Sequence, residues 1–297
     1  MAKTKREYIL ATCFLSGAAA IISFISLGTQ EWVTAIAISE VDDNENTFKF
    51  GLFGGIFKQL SITKAVYELT SKKKFTYQVY DVIKNVFAAV CAFGHNVCAL
   101  LCGNNMENNL EDLYNNIPFN NSDLCSASAV SMEAPVFETT LLVRAYNEID
   151  DMVFINAGVW VCTIFFLIIS AVMGLLSAGL AIWNTATNPY QPYLSIFGLY
   201  VYNAIAFFSI LSSVILWGAM FAKDLSRMIP SYKTYLEKFN TNGRASLGYS
   251  YWINLISICF YMVSICLLYI RNYLISKEPE LKSVHIEDDV EPVIYLY

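Results

Sequence analysis

Residues 152–183 read MVFINAGVWVCTIFFLIISAVMGLLSAGLAIW, and no Asp, Glu, Lys, Arg or His interrupts them. A bilayer core about 30 Å thick takes roughly 20 apolar residues in a helix, so this stretch is long enough to cross one. A helix in hydrocarbon satisfies its own backbone polar groups, so an unbroken apolar run of this length suits a span. Three further stretches, Tyr8–Leu27, Tyr193–Ala222 and Tyr251–Ile270, are equally free of charge. A soluble protein with this pattern would have to bury four long helices on every side, and composition opposes that. The 297 residues are 56% hydrophobic and 15% charged, against roughly 25% charged in an average soluble domain. The fold expected is a mainly α membrane protein, a four-transmembrane-helix bundle in contact with the lipid bilayer. A net charge of -6 supplies no basic stripe to neutralise phosphates, so nucleic acid is not an expected partner.

Working outward from the spans, the chain divides into a cytoplasmic N-terminus (1–7), a first span (8–28) and a large extracellular loop (29–151). A second span (152–183), a short cytoplasmic turn (184–191) and a third span (192–222) follow. A second extracellular loop (223–250), a fourth span (251–271) and a cytoplasmic tail (272–297) complete it. Lys3, Lys5 and Arg6 precede the first span, whereas Gly28 to Phe48 beyond it holds no Lys or Arg. The positive-inside rule therefore puts the N-terminus in the cytoplasm. Lys223, Arg227, Lys233, Lys238 and Arg244 in the second loop oppose this, but the first helix usually dominates orientation. The opening basic residues and Ala18-Ala19-Ala20 also fit a cleavable signal peptide. Because the apolar run continues to Leu27, a retained helix is the reading. Asn120-Asn121-Ser122 is a glycosylation sequon in the first loop, which supports an outward position for that loop.

The first loop begins strand-rich. Thr34–Ser39 and Phe48–Phe57 mix β-branched and aromatic residues, with turn residues at Asp42–Glu45 and at Gly54-Gly55. Phe75–Val82 (FTYQVYDV) alternates with the period of a half-buried strand. A small antiparallel sheet on the bundle follows, and Val136–Ile149 reads as a helix leading to the second span. The apolar run Val86–Cys102 is broken by Gly94, His95 and Asn96, a costly trio for a bilayer centre. It reads as a buried or membrane-facing segment, with a fifth span as the alternative. Cys91, Cys98, Cys102 and Cys125 suggest up to two disulfides in an oxidising compartment. On a helix, Cys91 and Cys98 would stand about 10 Å apart, beyond disulfide reach, which favours a partner for Cys125 within the run. A zinc site on Cys91, His95, Cys98 and Cys102 is weighed and set aside, since structural zinc rarely takes its ligands from one helix.

The first span exits through Leu27-Gly28-Thr29-Gln30-Glu31-Trp32, and Phe50-Gly51-Leu52-Phe53-Gly54 follows. This pairing resembles the clarin family of the claudin-like tetraspan superfamily. Trp183-Asn184, Asn188-Pro189-Tyr190 and Gly198-Leu199-Tyr200 are similar to the clarin turn and third-helix entry. Tyr249-Ser250-Tyr251-Trp252 is similar to the fourth-helix entry. No cysteine follows Phe53 as in barrier-forming claudins. The resemblance implies a non-enzymatic membrane organiser of sensory or cell-contact membranes, with links to the actin cytoskeleton. The alternative is an auxiliary subunit that modulates a channel or receptor.

No catalytic constellation is present. His95 and His285 are the only histidines, and neither sits in a hydrolase or metalloprotease motif. Charge-free spans lack the intramembrane acids or bases of a transporter or proton relay. No cofactor and no metal are expected. Thr12, Ser16 and Ala20 on the first span, and Ser170, Gly174 and Ala178 on the second, recur every four residues as small-residue ridges. They read as internal packing rather than a dimer face, with Asn156, Asn203 and Asn254 as interhelical hydrogen-bond partners. The tail carries an acidic run from Glu287 to Glu291 and ends in Tyr295-Leu296-Tyr297, a pattern that fits strand addition to a PDZ groove. The expected location is the plasma membrane, with endoplasmic reticulum or vesicle membranes as the alternative. The partners expected are other membrane proteins and a PDZ-domain or cytoskeletal adaptor.

Overall fold

The computed structural model describes residues 2–38, 45–69, 73–101, 106–115, 153–186, 194–227, 229–230 and 243–277. Asn120, Cys102, Cys125, residues 136–149, Asn188-Pro189-Tyr190, His285 and the tail with Tyr295, Leu296 and Tyr297 lie outside them.

Four long helices carry the apolar stretches: α1 (Ala2–Gly28), α3 (Ala157–Ala186), α4 (Ile196–Met220) and α5 (Tyr249–Lys277). Among the described residues these four are long and apolar enough to cross a membrane. They close a ring in which α1 packs on α3 and α5, and α4 packs on both of those. Outside the ring the surface is oily: Phe14, Phe165 and Phe208 are 69%, 57% and 63% exposed. Water would penalise so large an apolar belt, whereas lipid tails accept it.

Inside, among the described residues, the buried polar side chains of the bundle are Ser, Thr and Asn, without charge. Asn203 on α4 is their hub. The Ser16 hydroxyl of α1 donates to its side-chain carbonyl at 2.7 Å, and its amide donates to Ser177 of α3 at 2.6 Å and to the Leu199 carbonyl at 2.8 Å. Polar side chains bind helices together across an apolar interior. Asn203→Leu removes that hub and leaves two buried hydroxyls without it. The expected loss is about 1 kcal/mol, read as a lower midpoint in an SDS unfolding titration from mild-detergent micelles.

On one end of the bundle sits an antiparallel sheet of seven strands: β1 (Val33–Ile38), β2 (Glu45–Phe50), β3 (Gly54–Leu69), β4 (Lys73–Ala92), β5 (Val97–Leu101), β6 (Ile155–Asn156) and β7 (Ala245–Leu247). Their spatial order is β6-β5-β4-β3-β2-β1-β7. The expected strand at 75–82 falls in β4, and that at 34–39 falls in β1 up to Ile38, with Ser39 outside the described residues. The turn expected at Gly54-Gly55 lies instead at Gly51–Phe53, with both glycines in β3. The Pro230 carbonyl accepts from Leu100 at 2.9 Å, tying the segment after α4 to β5. One face of the sheet presents Phe48, Phe50, Phe57, Phe87 and Leu100 to a core shared with Ile210, Trp217 and Tyr261 of the bundle. The other face carries a short helix, α2 (Met106–Tyr114), whose Leu110 packs on Ala99 and Leu101.

The run from residue 86 departs from the one-helix arrangement supposed for its cysteines and from the fifth-span alternative. It is not one helical or spanning segment but a hairpin, the end of β4 and all of β5, folded back at Phe93–Asn96. Both faces of β5 are covered, by the bundle and by α2, and the end of β4 is partly buried, so the sequence is continuously apolar where a half-exposed strand would alternate. The polar trio is the turn. Asn96 takes a left-handed conformation with φ 56, which asparagine tolerates better than most residues. It also anchors α3: its carbonyl accepts from Ala157 at 3.2 Å and its side chain from Gly158 at 2.9 Å.

Folding back also reverses the cysteine argument. Cys91 and Cys98 face each other in the register, with Cα atoms 4.0 Å apart, and form a disulfide. The two sulfurs are bonded to each other, so the one-helix zinc arrangement does not arise. The bridge closes a loop with sequence separation 7, and a loop that short stabilises by about 2–3 kcal/mol in the chain-entropy account. Cys98→Ser is expected to lower the stability of the purified chain by that amount. Adding a reductant to the native protein reproduces the shift in a melting curve.

Candidate functional site

The candidate site is the junction between sheet and bundle, where residues from both share one buried core. Trp32 is its centre, fully buried between β1 and the ends of α4 and α5. Its ring meets Trp217 edge-on at 5.3 Å and Tyr251 at 6.4 Å between centroids. Its indole N–H donates to the Ser26 carbonyl of α1 at 2.7 Å. A buried indole that finds a partner combines a large apolar surface with a directional bond.

The backbone around Trp32 joins three elements. Its N–H donates to Phe50 of β2 at 3.0 Å, and its carbonyl accepts from Gly248 at 2.9 Å. The Glu31 carbonyl accepts from Ser250 at 3.1 Å, taking up one of the free N–H groups at the start of α5. Thr29 Oγ1 lies 2.7 Å from Ser250 Oγ, and Asn254 donates to Ser26 Oγ at 2.7 Å. Gly51 has a steric reason to be glycine: a Cβ there would collide with the Thr29 carbonyl and lie 2.9 Å from the Gln30 Cα. Leu52 is buried, and its carbonyl accepts the Trp160 indole N–H of α3 at 2.6 Å. The whole junction is therefore pinned to α1, α3 and α5 at once. A Lys49–Glu31 ion pair at 2.8 Å rims it, but with side chains 38% and 31% exposed it adds at most about 1 kcal/mol.

The residues singled out from the sequence separate into two places. Thr29, Trp32, Gly51 and Leu52 meet at the junction. Gly28 has no neighbour that would oppose a side chain, and Phe53 is exposed. Gly198, Leu199 and Tyr200 lie at the opposite end of the bundle, where Leu199 and Tyr200 pack with Ile9, Ala181 and Leu268. The Asn184 side chain holds that end together, donating to Leu180 and Leu194 at 2.8 and 2.6 Å. The small-residue ridges face one another: Thr12, Ser16 and Ala20 are buried, and an added Cβ on Gly174 would meet Ala20 Cβ at 3.0 Å and clash with the Tyr261 hydroxyl. Ser170 accepts that hydroxyl through its carbonyl at 3.1 Å. Ala178 stands 3.7 Å from where a Gly17 Cβ would be.

Asn156 is a correction. It is not interhelical but lies in β6, where its side chain caps α3 by accepting from Val159 at 3.0 Å. Its place just ahead of the helix, as an N-cap residue, was the available signal. Trp160 and Trp217 were not singled out, because an aromatic at a span end reads as an interfacial residue. His95 stacks on Tyr114 at 4.5 Å and lies in no group of potential metal ligands among the described residues.

No family model matches the chain. Among curated proteins it is similar to Clarin-3 of Homo sapiens, with 31% identity over 111 residues, 36% of this chain and 47% of that protein. It is also similar to Clarin-3 of Rattus norvegicus, 33% identical over 94 residues, 31% of this chain and 41% of the relative. Clarin-3 of Mus musculus gives 33% over 93 residues with the same coverage of 31% and 41%. The match spans less than half the length of each relative.

Proposed function

We propose that the chain is a clarin-family protein, a reading that its similarity to Clarin-3 supports, and that it is a non-enzymatic tetraspan organiser of sensory or cell-contact membranes. One observation carries the reading: a seven-stranded sheet is clamped on a bundle whose buried interior, among the described residues, holds no charged side chain. A transporter or proton relay needs ionisable groups in its core. A scaffold needs a rigid outward surface and an inert anchor, and the junction at Trp32 supplies the first. On this reading the loop faces outward with a glycan on Asn120, and the protein resides in the plasma membrane. The terminal Tyr295-Leu296-Tyr297 engages a PDZ-domain or cytoskeletal adaptor on the inner side.

The second reading, an auxiliary subunit of a channel or receptor, rests on the same uncharged interior. Affinity purification of the full chain in mild detergent separates them. Adhesion or cytoskeletal proteins, lost on deletion of Leu296 and Tyr297, support the organiser. A stoichiometric channel, retained after that deletion, overturns it.

A further inference from the structure

A groove of about 570 Å³ lies between the sheet, α2 and the first turn of α3. Val90 and Cys91 of β4, Phe93 of the turn, Met106 and Glu107 of α2 and Trp160 of α3 line it. Among the described lining residues Glu107 is the one with a formal charge, and Asn108 adds a neutral amide. The groove's depth is set by its neighbours. The turn that carries Phe93 is bonded through Asn96 to Ala157 and Gly158, and Trp160 is bonded to Leu52. All of these sit where α3 begins, so with α3 spanning the bilayer the groove opens at the level of the headgroups.

The rim fits that level. Phe93 is 66% exposed, a large apolar outlay for a turn in water. Aromatic rings are favoured at the membrane interface. Val161 and Phe165, which follow the lining residue Trp160 along α3, are exposed and belong to the apolar belt.

We infer that the groove seats the headgroup of a choline lipid from the adjoining leaflet. A quaternary ammonium is attracted to the faces of aromatic rings, and Phe93 and Trp160 provide them. The Glu107 carboxylate adds the opposite charge. With no Lys or Arg among the described lining residues, an anionic headgroup finds no counter-charge there and faces a carboxylate instead. The inference rests on the spanning reading of α3.

The test uses the full chain in nanodiscs of equal phosphatidylcholine and phosphatidylglycerol, with the photoreactive p-benzoylphenylalanine replacing Phe93. Mass spectrometry of the irradiated protein is expected to find lipid adducts enriched in phosphatidylcholine by about two- to fivefold, the range of an exposed cation–π contact. Glu107→Lys, at an exposed site, should abolish or invert that preference. The same probe at Phe165 should give adducts with no preference. Equal labelling by both lipids at position 93, indifferent to Glu107→Lys, overturns the headgroup site and leaves only aromatic contact. No lipid adduct at 93 when 165 is labelled overturns it as well. No adduct at 165 refutes the spanning reading itself, a separate failure.

Discussion

Trp32→Ala is expected to destabilise the protein by about 3–5 kcal/mol, the usual cost of emptying a buried tryptophan site. The magnitude follows from its surroundings: the ring is fully buried, touches Trp217 and Tyr251, and bonds to Ser26. Whole-domain stabilities run from about 5 to 15 kcal/mol, so this single truncation removes a large share. The measurement is the shift in SDS unfolding midpoint, followed by circular dichroism. Limited proteolysis is expected to cut the first loop while the helices stay protected, because the ring joins the sheet to helices that also pack on one another. Trp32→Phe keeps most of the packing and loses the indole bond, so about 1 kcal/mol is expected. A Trp32→Ala loss below about 1 kcal/mol would mean that the ring does not clamp the sheet.

The second large effect concerns Gly174. Its α-carbon lies where α3 meets Ala20 of α1 and the Tyr261 hydroxyl of α5, and no Cβ fits without displacing them. Gly174→Leu must push α3 outward and break the Tyr261–Ser170 bond. Overpacking in a well-filled interior costs about 1–3 kcal/mol, and the neighbouring ridge of Ala20 leaves little room to relax. The variant is expected to unfold at lower SDS and to yield less folded monomer. A variant with native monomer stability that loses only a crosslinked dimer would show that the ridge is an oligomer interface instead.

The four spans were legible because each is long and free of charge, a signal that survives without any tertiary information. The start of the sheet was legible too, since Phe75–Val82 alternates and β1 is β-branched. The hairpin at 86–101 was not, because burial on both faces of β5 erases the alternation that marks a strand. With the hairpin hidden, the Cys91–Cys98 pair read as two cysteines on one helix, out of reach of each other. β7 offers three residues, Ala245–Leu247, too few for any periodic pattern, and its pairing with β1 depends wholly on the fold. At the junction, Trp32 and Gly51 stood out through the family resemblance. Trp217 and Ser26 did not, because what they contribute is a contact with elements distant in sequence.

The most direct measurement compares two epitope tags in intact cells, one between Ser71 and Lys72 at the β3–β4 hairpin and one after Tyr297. Three spans separate these positions, α3, α4 and α5, so the tags must lie on opposite sides. Antibody is expected to reach the hairpin tag without permeabilisation and the tail tag only after it. Both tags on one side would mean a further crossing between them, and the reverse pattern would turn the sheet toward the cytoplasm; either contradicts an outward sheet on a four-span anchor.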